Sequence, residues 1–126
     1  MSGSDVQAIG KDQFEVLIAE HEIFFVDFWA EWCAPCKQFA KIYEKIAAQF
    51  SDKILFASVN IEKEQELAEL FQIRSIPHLM VFKQGIAIYS ESGSMPASTL
   101  EELVEQSLSV DVSKIRKQLE DEEKNS

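Results

Sequence analysis

No stretch of this 126-residue chain stays apolar for anything near the ~20 residues that cross a bilayer, and no basic segment with an apolar core marks a secretory leader. A cytoplasmic protein that engages no membrane is the expectation. Positive charge is scarce as well. The 12 Lys and Arg stand against 22 Asp and Glu, a formal charge of −10, with no basic patch to hold the phosphates of nucleic acid. The acidic excess lies on helix faces (Glu62, Glu64, Glu66, Glu69) and in the run Glu120 to Glu123, where solvated surface accounts for it. Strong metal donors are few: beside two cysteines only His21 and His78 remain, and a zinc site takes about four ligands. Neither a metal nor a bound cofactor is expected. Internal repeats, low-complexity tracts and any linker before about residue 109 are also lacking.

The length suits one domain, able to bury roughly two-thirds of its unfolded surface with its cysteines free. Val6 to Ile9 reads as a short strand. Asp12 to Glu20 reads as a helix with Phe14, Leu17 and Ile18 on one face and Asp12 as its N-cap. Ile23 to Trp29 is apolar at every position except Asp27, the pattern of a strand covered on both faces, and is the candidate sheet centre. From Cys33 to Phe50 apolar residues recur at helical spacing. Ile54 to Asn60 follows as a strand and Glu64 to Phe71 as a short acidic helix, an order that suggests a parallel α/β core. Pro77 to Phe82 and Ile86 to Glu91 form a hairpin across Lys83-Gln84-Gly85. A last helix starts near Pro96 or Ser98, where Ser98 and Glu101 have capping-box spacing, and runs through Leu108.

The two cysteines, Cys33 and Cys36, sit where the apolar strand gives way to the second helix. Thiols at i and i+3 of a first helical turn can close into a disulfide. The turn's unpaired N–H groups and the helix dipole favour an anionic sulfur there, so Cys33, nearest the dipole end and exposed, is the candidate nucleophile. Cys36, one turn inward, is the candidate resolving thiol. Half of a zinc site and a pair of inert buried thiols have the same spacing. Pro35 lacks an N–H and fixes its own φ in the first turn, where proline pre-organises a helix. Asp27 is the second unusual residue. A carboxylate inside a doubly covered strand is costly unless neutral or paired, and desolvation should raise its pKa.

The order βαβαβαββα with a cysteine pair opening the second helix resembles the thioredoxin family. Val26 to Lys37 (VDFWAEWCAPCK) looks like the family's active-site segment, and Ile73-Arg74-Ser75-Ile76-Pro77 followed by Leu79 to Phe82, Lys83 and Gly85 looks like its cis-proline segment. The likeness covers about residues 6 to 109. It implies a thioredoxin fold, with a central mixed five-stranded sheet flanked by helices, over residues 1–109. Residues 110–126 would then be a charged C-terminal extension, in which Val112, Ile115 and Leu119 could share one face of a short helix.

In activity, the resemblance implies a protein dithiol–disulfide oxidoreductase that reduces protein disulfides through Cys33 and Cys36. Asp27 would be the buried base for Cys36, and Pro77 a cis proline packed against the cysteines. Trp32, Ala34, Ile76 and Gly93 would be a substrate-facing rim, Pro35 a tuner of the redox potential, and Trp29 a support from behind. The expected partners are protein disulfide substrates and a flavin-dependent thioredoxin reductase, and the expected state is a monomer. A thioredoxin-fold binding or chaperone-like module, or a disulfide oxidant or isomerase, are the rivals. Several positions depart from the family pattern. Ser58 stands where a lysine often pairs with the buried aspartate, so Asp27 should be harder to ionise. His78 follows the proline in place of threonine, Lys41 replaces a helix-kinking proline, and Gln72 and Ser75 occupy places where glycine is common.

Overall fold

The computed structural model describes residues 5–124; the outermost parts of the two expected segments, 1–4 and 125–126, lie outside it. Strands β1 (Val6–Ala8), β2 (Ile23–Trp29), β3 (Leu55–Asn60), β4 (His78–Lys83) and β5 (Ile86–Ser92) alternate with helices α1 (Lys11–Glu20), α2 (Ala34–Phe50) and α3 (Gln65–Leu70). Helices α4 (Ala97–Ser109) and α5 (Ser113–Lys124) close the chain. The sheet order is β1-β3-β2-β4-β5. β1 and β2 run parallel to β3, while β4 is antiparallel to both β2 and β5. The mixed five-stranded thioredoxin fold is therefore the observed one.

Residues two apart on a strand face the same way, and β2 divides the core accordingly. Phe24, Val26 and Phe28 pack on one side with Phe14, Leu67 and Phe82, under α1 and α3. Ile23 and Phe25 face the other side with Phe39, Tyr43, Ile46, Leu100 and Val104, under α2 and α4. Asp27 shares the parity of Phe25 and so faces the α2 layer. Buried side chains of this size contribute roughly 1.5–3 kcal/mol each, which fixes β2 in register and holds Asp27 inside.

Local geometry differs from the sequence expectation at helix starts. α1 is capped at Gly10, not Asp12: Gly10 has no side chain to offer, but its N–H donates to Gln13 Oε1 at 2.9 Å, and Lys11 N–H donates to Glu64 Oε1 at 3.2 Å. α4 starts after Pro96, whose carbonyl accepts from Thr99 and Leu100 at 3.1 Å; no Ser98–Glu101 box forms, because Ser98 already lies within the helix. The β4–β5 turn is a two-residue loop, Gln84-Gly85, with φ of 52° and 79°, the type I′ geometry that suits the twist of a hairpin. Gln72 also has positive φ, 54°, which explains why glycine suits that place.

Candidate active site

Cys33 is the N-cap of α2 rather than a residue of its first turn, with Ala34 and Pro35 opening the helix. Its extended backbone lets Cys33 O accept from Lys37 N–H at 3.3 Å while Cys33 Sγ accepts from Cys36 N–H at 3.2 Å. The sulfur thus occupies the place where an N-cap side chain satisfies an orphan helix donor. The two cysteines are joined as a disulfide with Cα atoms 5.2 Å apart. Contrary to the expectation of an exposed nucleophile, Cys33 is only 4% exposed, shielded within the bridge, whereas neighbouring Trp32 is 68% exposed and Ala34 and Pro35 lie at the surface.

The loop before β4 closes over this pair. The Ile76–Pro77 peptide is cis, and the Ile76 carbonyl oxygen lies 3.8 Å from Cys33 Sγ. Gly93 N–H donates to Pro77 O at 2.7 Å, and its φ of 106° is one that glycine adopts without penalty. Apart from its chain neighbours, no atom of the described residues lies within 4 Å of where a Cβ on Gly93 would project, so its place faces open space. The structure therefore gathers Cys33, Trp32, Ala34, Pro35, Ile76, Pro77 and Gly93 at one end of the sheet.

Behind the disulfide, Asp27 is 2% exposed, and its Oδ1 has no hydrogen-bond partner among the described residues. Burial pushes its pKa up to about 8. Its neighbours across the sheet are Ser58 and Leu79, so no cation sits beside it in register. A cavity of about 220 Å³ joins Asp27 to Cys36, Trp29, Tyr43 and Ser58, with Lys37 and Glu44 also on its wall. Such a space can hold water, and a polar group lacking a partner is what retains it.

Tyr43 lies on the buried face of α2, among the residues that recur there at helical spacing. Its hydroxyl donates to Ala57 O at 2.9 Å, and burial together with the nearby Asp27 carboxyl raises its pKa well above the usual phenol value. The one available signal was that a tyrosine on a core face needs a partner for its hydroxyl. His78 is half-buried and lowered in pKa mainly by desolvation. Its Nε2 lies 2.8 Å from Ser90 Oγ, which accounts for it as a hydrogen-bonded strand residue.

The thioredoxin family model matches residues 5–106. The chain is 38% identical over 107 residues to "Putative thioredoxin 2" of Streptomyces coelicolor, covering 85% of this chain and 79% of that protein. It is 41% identical over 83 residues to the thioredoxin of Rhodospirillum rubrum, 66% and 80% of the two chains. Among solved structures, Plasmodium falciparum thioredoxin superposes with a TM-score of 0.73 at 32% identity, covering 79% of this chain and 97% of that one. Chloroplastic thioredoxin z gives 0.77 at 26% identity, covering 83% and 96%.

Proposed function

This chain belongs to the thioredoxin family, and from that premise we propose how its residues divide the work. The protein is a dithiol–disulfide oxidoreductase that reduces disulfides in protein substrates. In the reduced form the Cys33 thiolate attacks one sulfur of a substrate disulfide, forming a mixed disulfide and expelling one substrate thiolate, which takes a proton from water. Asp27 then accepts the Cys36 proton. The Cys36 thiolate attacks Cys33 Sγ, forming the Cys33–Cys36 bridge and expelling the second substrate sulfur as a thiolate, which takes up the proton that Asp27 holds. Two electrons pass to the substrate in all.

The observation that carries this assignment is the disulfide at the start of α2 with a buried carboxyl, its Oδ1 lacking a partner among the described residues, sharing a cavity with Cys36. Helix-terminal N–H groups favour the sulfur anion at Cys33, and a base with a pKa of about 8 is matched to a thiol of ordinary acidity. Trp32, Ala34, Ile76 and Gly93 form the rim against which an extended substrate segment lies, held by main-chain hydrogen bonds at the Ile76 edge. Pro35 tunes the potential, and Pro77 shapes the rim. A flavin-dependent reductase returns the electrons and the cytoplasm is the working compartment, a reading supported by the need of an exchange dithiol for a reducing pool. The catalytic domain ends near residue 109, and the segment 110–126 stands apart from the chemistry.

Insulin-disulfide reduction with a thiol donor tests the assignment. Cys36→Ser should lose turnover and accumulate a mixed disulfide through Cys33, visible as a covalent adduct on a nonreducing gel. Turnover retained by Cys36→Ser, or an adduct that survives Cys33→Ser, would refute it. Equilibration with glutathione separates a reductant from an oxidant, since 30 mV corresponds to about 1.4 kcal/mol.

A further inference from the structure

Helix α5 is anchored to the described body of the protein at its root. Val112, just before it, is buried, Ser113 N–H donates to Asp111 Oδ1 at 2.9 Å, and Arg116 Nη2 donates to the Gln84 carbonyl of the β4–β5 turn. Every residue of the helix itself is exposed, including Ile115 (38%) and Leu119 (47%), which lie one turn apart on the same face. A 12-residue helix without a packed face is marginal in water, so helicity here calls for a covering partner.

The charges of α5 say what that partner is. Its first half carries Lys114, Arg116 and Lys117 and its second half Glu120, Asp121, Glu122 and Glu123, with a single cation, Lys124, at its last position. This is the reverse of what the helix dipole favours, and Arg116–Glu120 and Lys117–Asp121 are i,i+4 pairs in the weaker orientation. The segregation therefore does not serve the isolated helix. It is self-complementary: a second copy laid antiparallel places basic half against acidic half, whereas a parallel copy sets like charges together.

We propose that α5 is a self-association element, pairing antiparallel with α5 of a second copy across a two-fold axis. Ile115 packs on the second copy's Leu119 and Leu119 on its Ile115, the isologous contact a two-fold requires. In that register Lys114 and Arg116, flanking the apolar seam, lie beside the second copy's Glu122 and Glu120. The seam is only about 18 Å long. That is far short of the roughly 800 Å² per partner of a standard interface, so the pair is a weak dimer with a dissociation constant on the order of 100 µM. The redox face at the start of α2 takes no part in the contact. The expected monomer is then the dilute form.

Sedimentation velocity on the whole chain, from about 10 to 500 µM, tests this. The parent should move from monomer toward dimer across that range, and Leu119→Asp should weaken association by roughly tenfold or more. Lys114→Glu/Arg116→Glu and Glu120→Lys/Glu122→Lys should each self-associate less than the parent, while an equimolar mixture of the two restores the dimer. The mixture separates specific pairing from a helix that has merely melted. A parent that stays monomeric at the top concentration, a Leu119→Asp chain that associates like the parent, or a mixture no better than its components would each overturn the proposal.

Discussion

The carboxyl of Asp27 sits at about 8 because β2 faces it into the α2 layer, where neither Ser58 nor Leu79 offers a charge to offset desolvation. Between the unfolded value near 4 and the folded value near 8 the folded protein binds the extra proton. The stability contributed by keeping it is therefore present at low pH and is lost as pH rises through that window. Asp27→Asn removes the liability. It should match the parent in denaturant stability near pH 4 and exceed it by an amount that grows to the order of 5 kcal/mol at pH 8 and above. The same variant should form the mixed disulfide at the parental rate but resolve it roughly a hundredfold more slowly, and without the parent's rise in resolving rate through pH 8. Stopped-flow reduction with a trapped substrate reads both steps; equal slowing of both would assign Asp27 to structure alone. Asp27 was legible in the sequence because it interrupts an apolar run. The cavity beside it was not, since Tyr43, Ser58 and Cys36 meet only once α2 crosses the sheet.

At the scale of the element, the long apolar strand and the helix with a strongly periodic face followed from pattern, because burial enforces both. Helix starts did not follow. Gly10 serves as a cap through Gln13 and Glu64, and the latter arrives from beyond β3, so no local rule could select it over Asp12. The end of α4 falls one residue past the Leu108 read from the sequence, but the group that caps it was equally hidden. Lys83, which local sequence places in a turn, is buried on β4 with the parity of Leu79 and Val81. Its Nζ donates to the carbonyls of Ser107 (2.7 Å), Leu108 (3.2 Å) and Val110 (2.7 Å). An ammonium there satisfies orphan helix carbonyls and sits at the negative end of the dipole. Lys83→Met keeps most of the volume but strands three acceptors, and should cost about 2–4 kcal/mol of unfolding free energy by denaturant titration. A loss below about 0.5 kcal/mol would mean that water replaces the lysine at no cost. Insulin reduction at 25 °C should be retained, because α4 ends away from the cysteines.

For the molecule as a whole, the chemistry lies at one end of the sheet and the C-terminal helix is rooted by the β4–β5 turn, where Arg116 meets Gln84. The boundary between catalytic body and extension is consequently graded. Residues 110–112, just past the proposed end near residue 109, still touch the body, since Val110 O receives Lys83 and Val112 is buried, whereas no residue of α5 is. Two truncations separate these shares. Removing 113–126 should leave the melting temperature of a dilute sample within about 2 °C of the parent, because no buried apolar surface is lost. Removing 110–126 also takes away Val112 and one acceptor of Lys83, worth about 2–3 kcal/mol together, and should lower the melting temperature by about 5–15 °C for a body of this size. Both truncations should reduce insulin disulfides at the parental rate under dilute conditions. A shorter truncation that destabilised as much as the longer one would show that α5 packs on the body in solution, and the antiparallel pairing of free helices would fail with it.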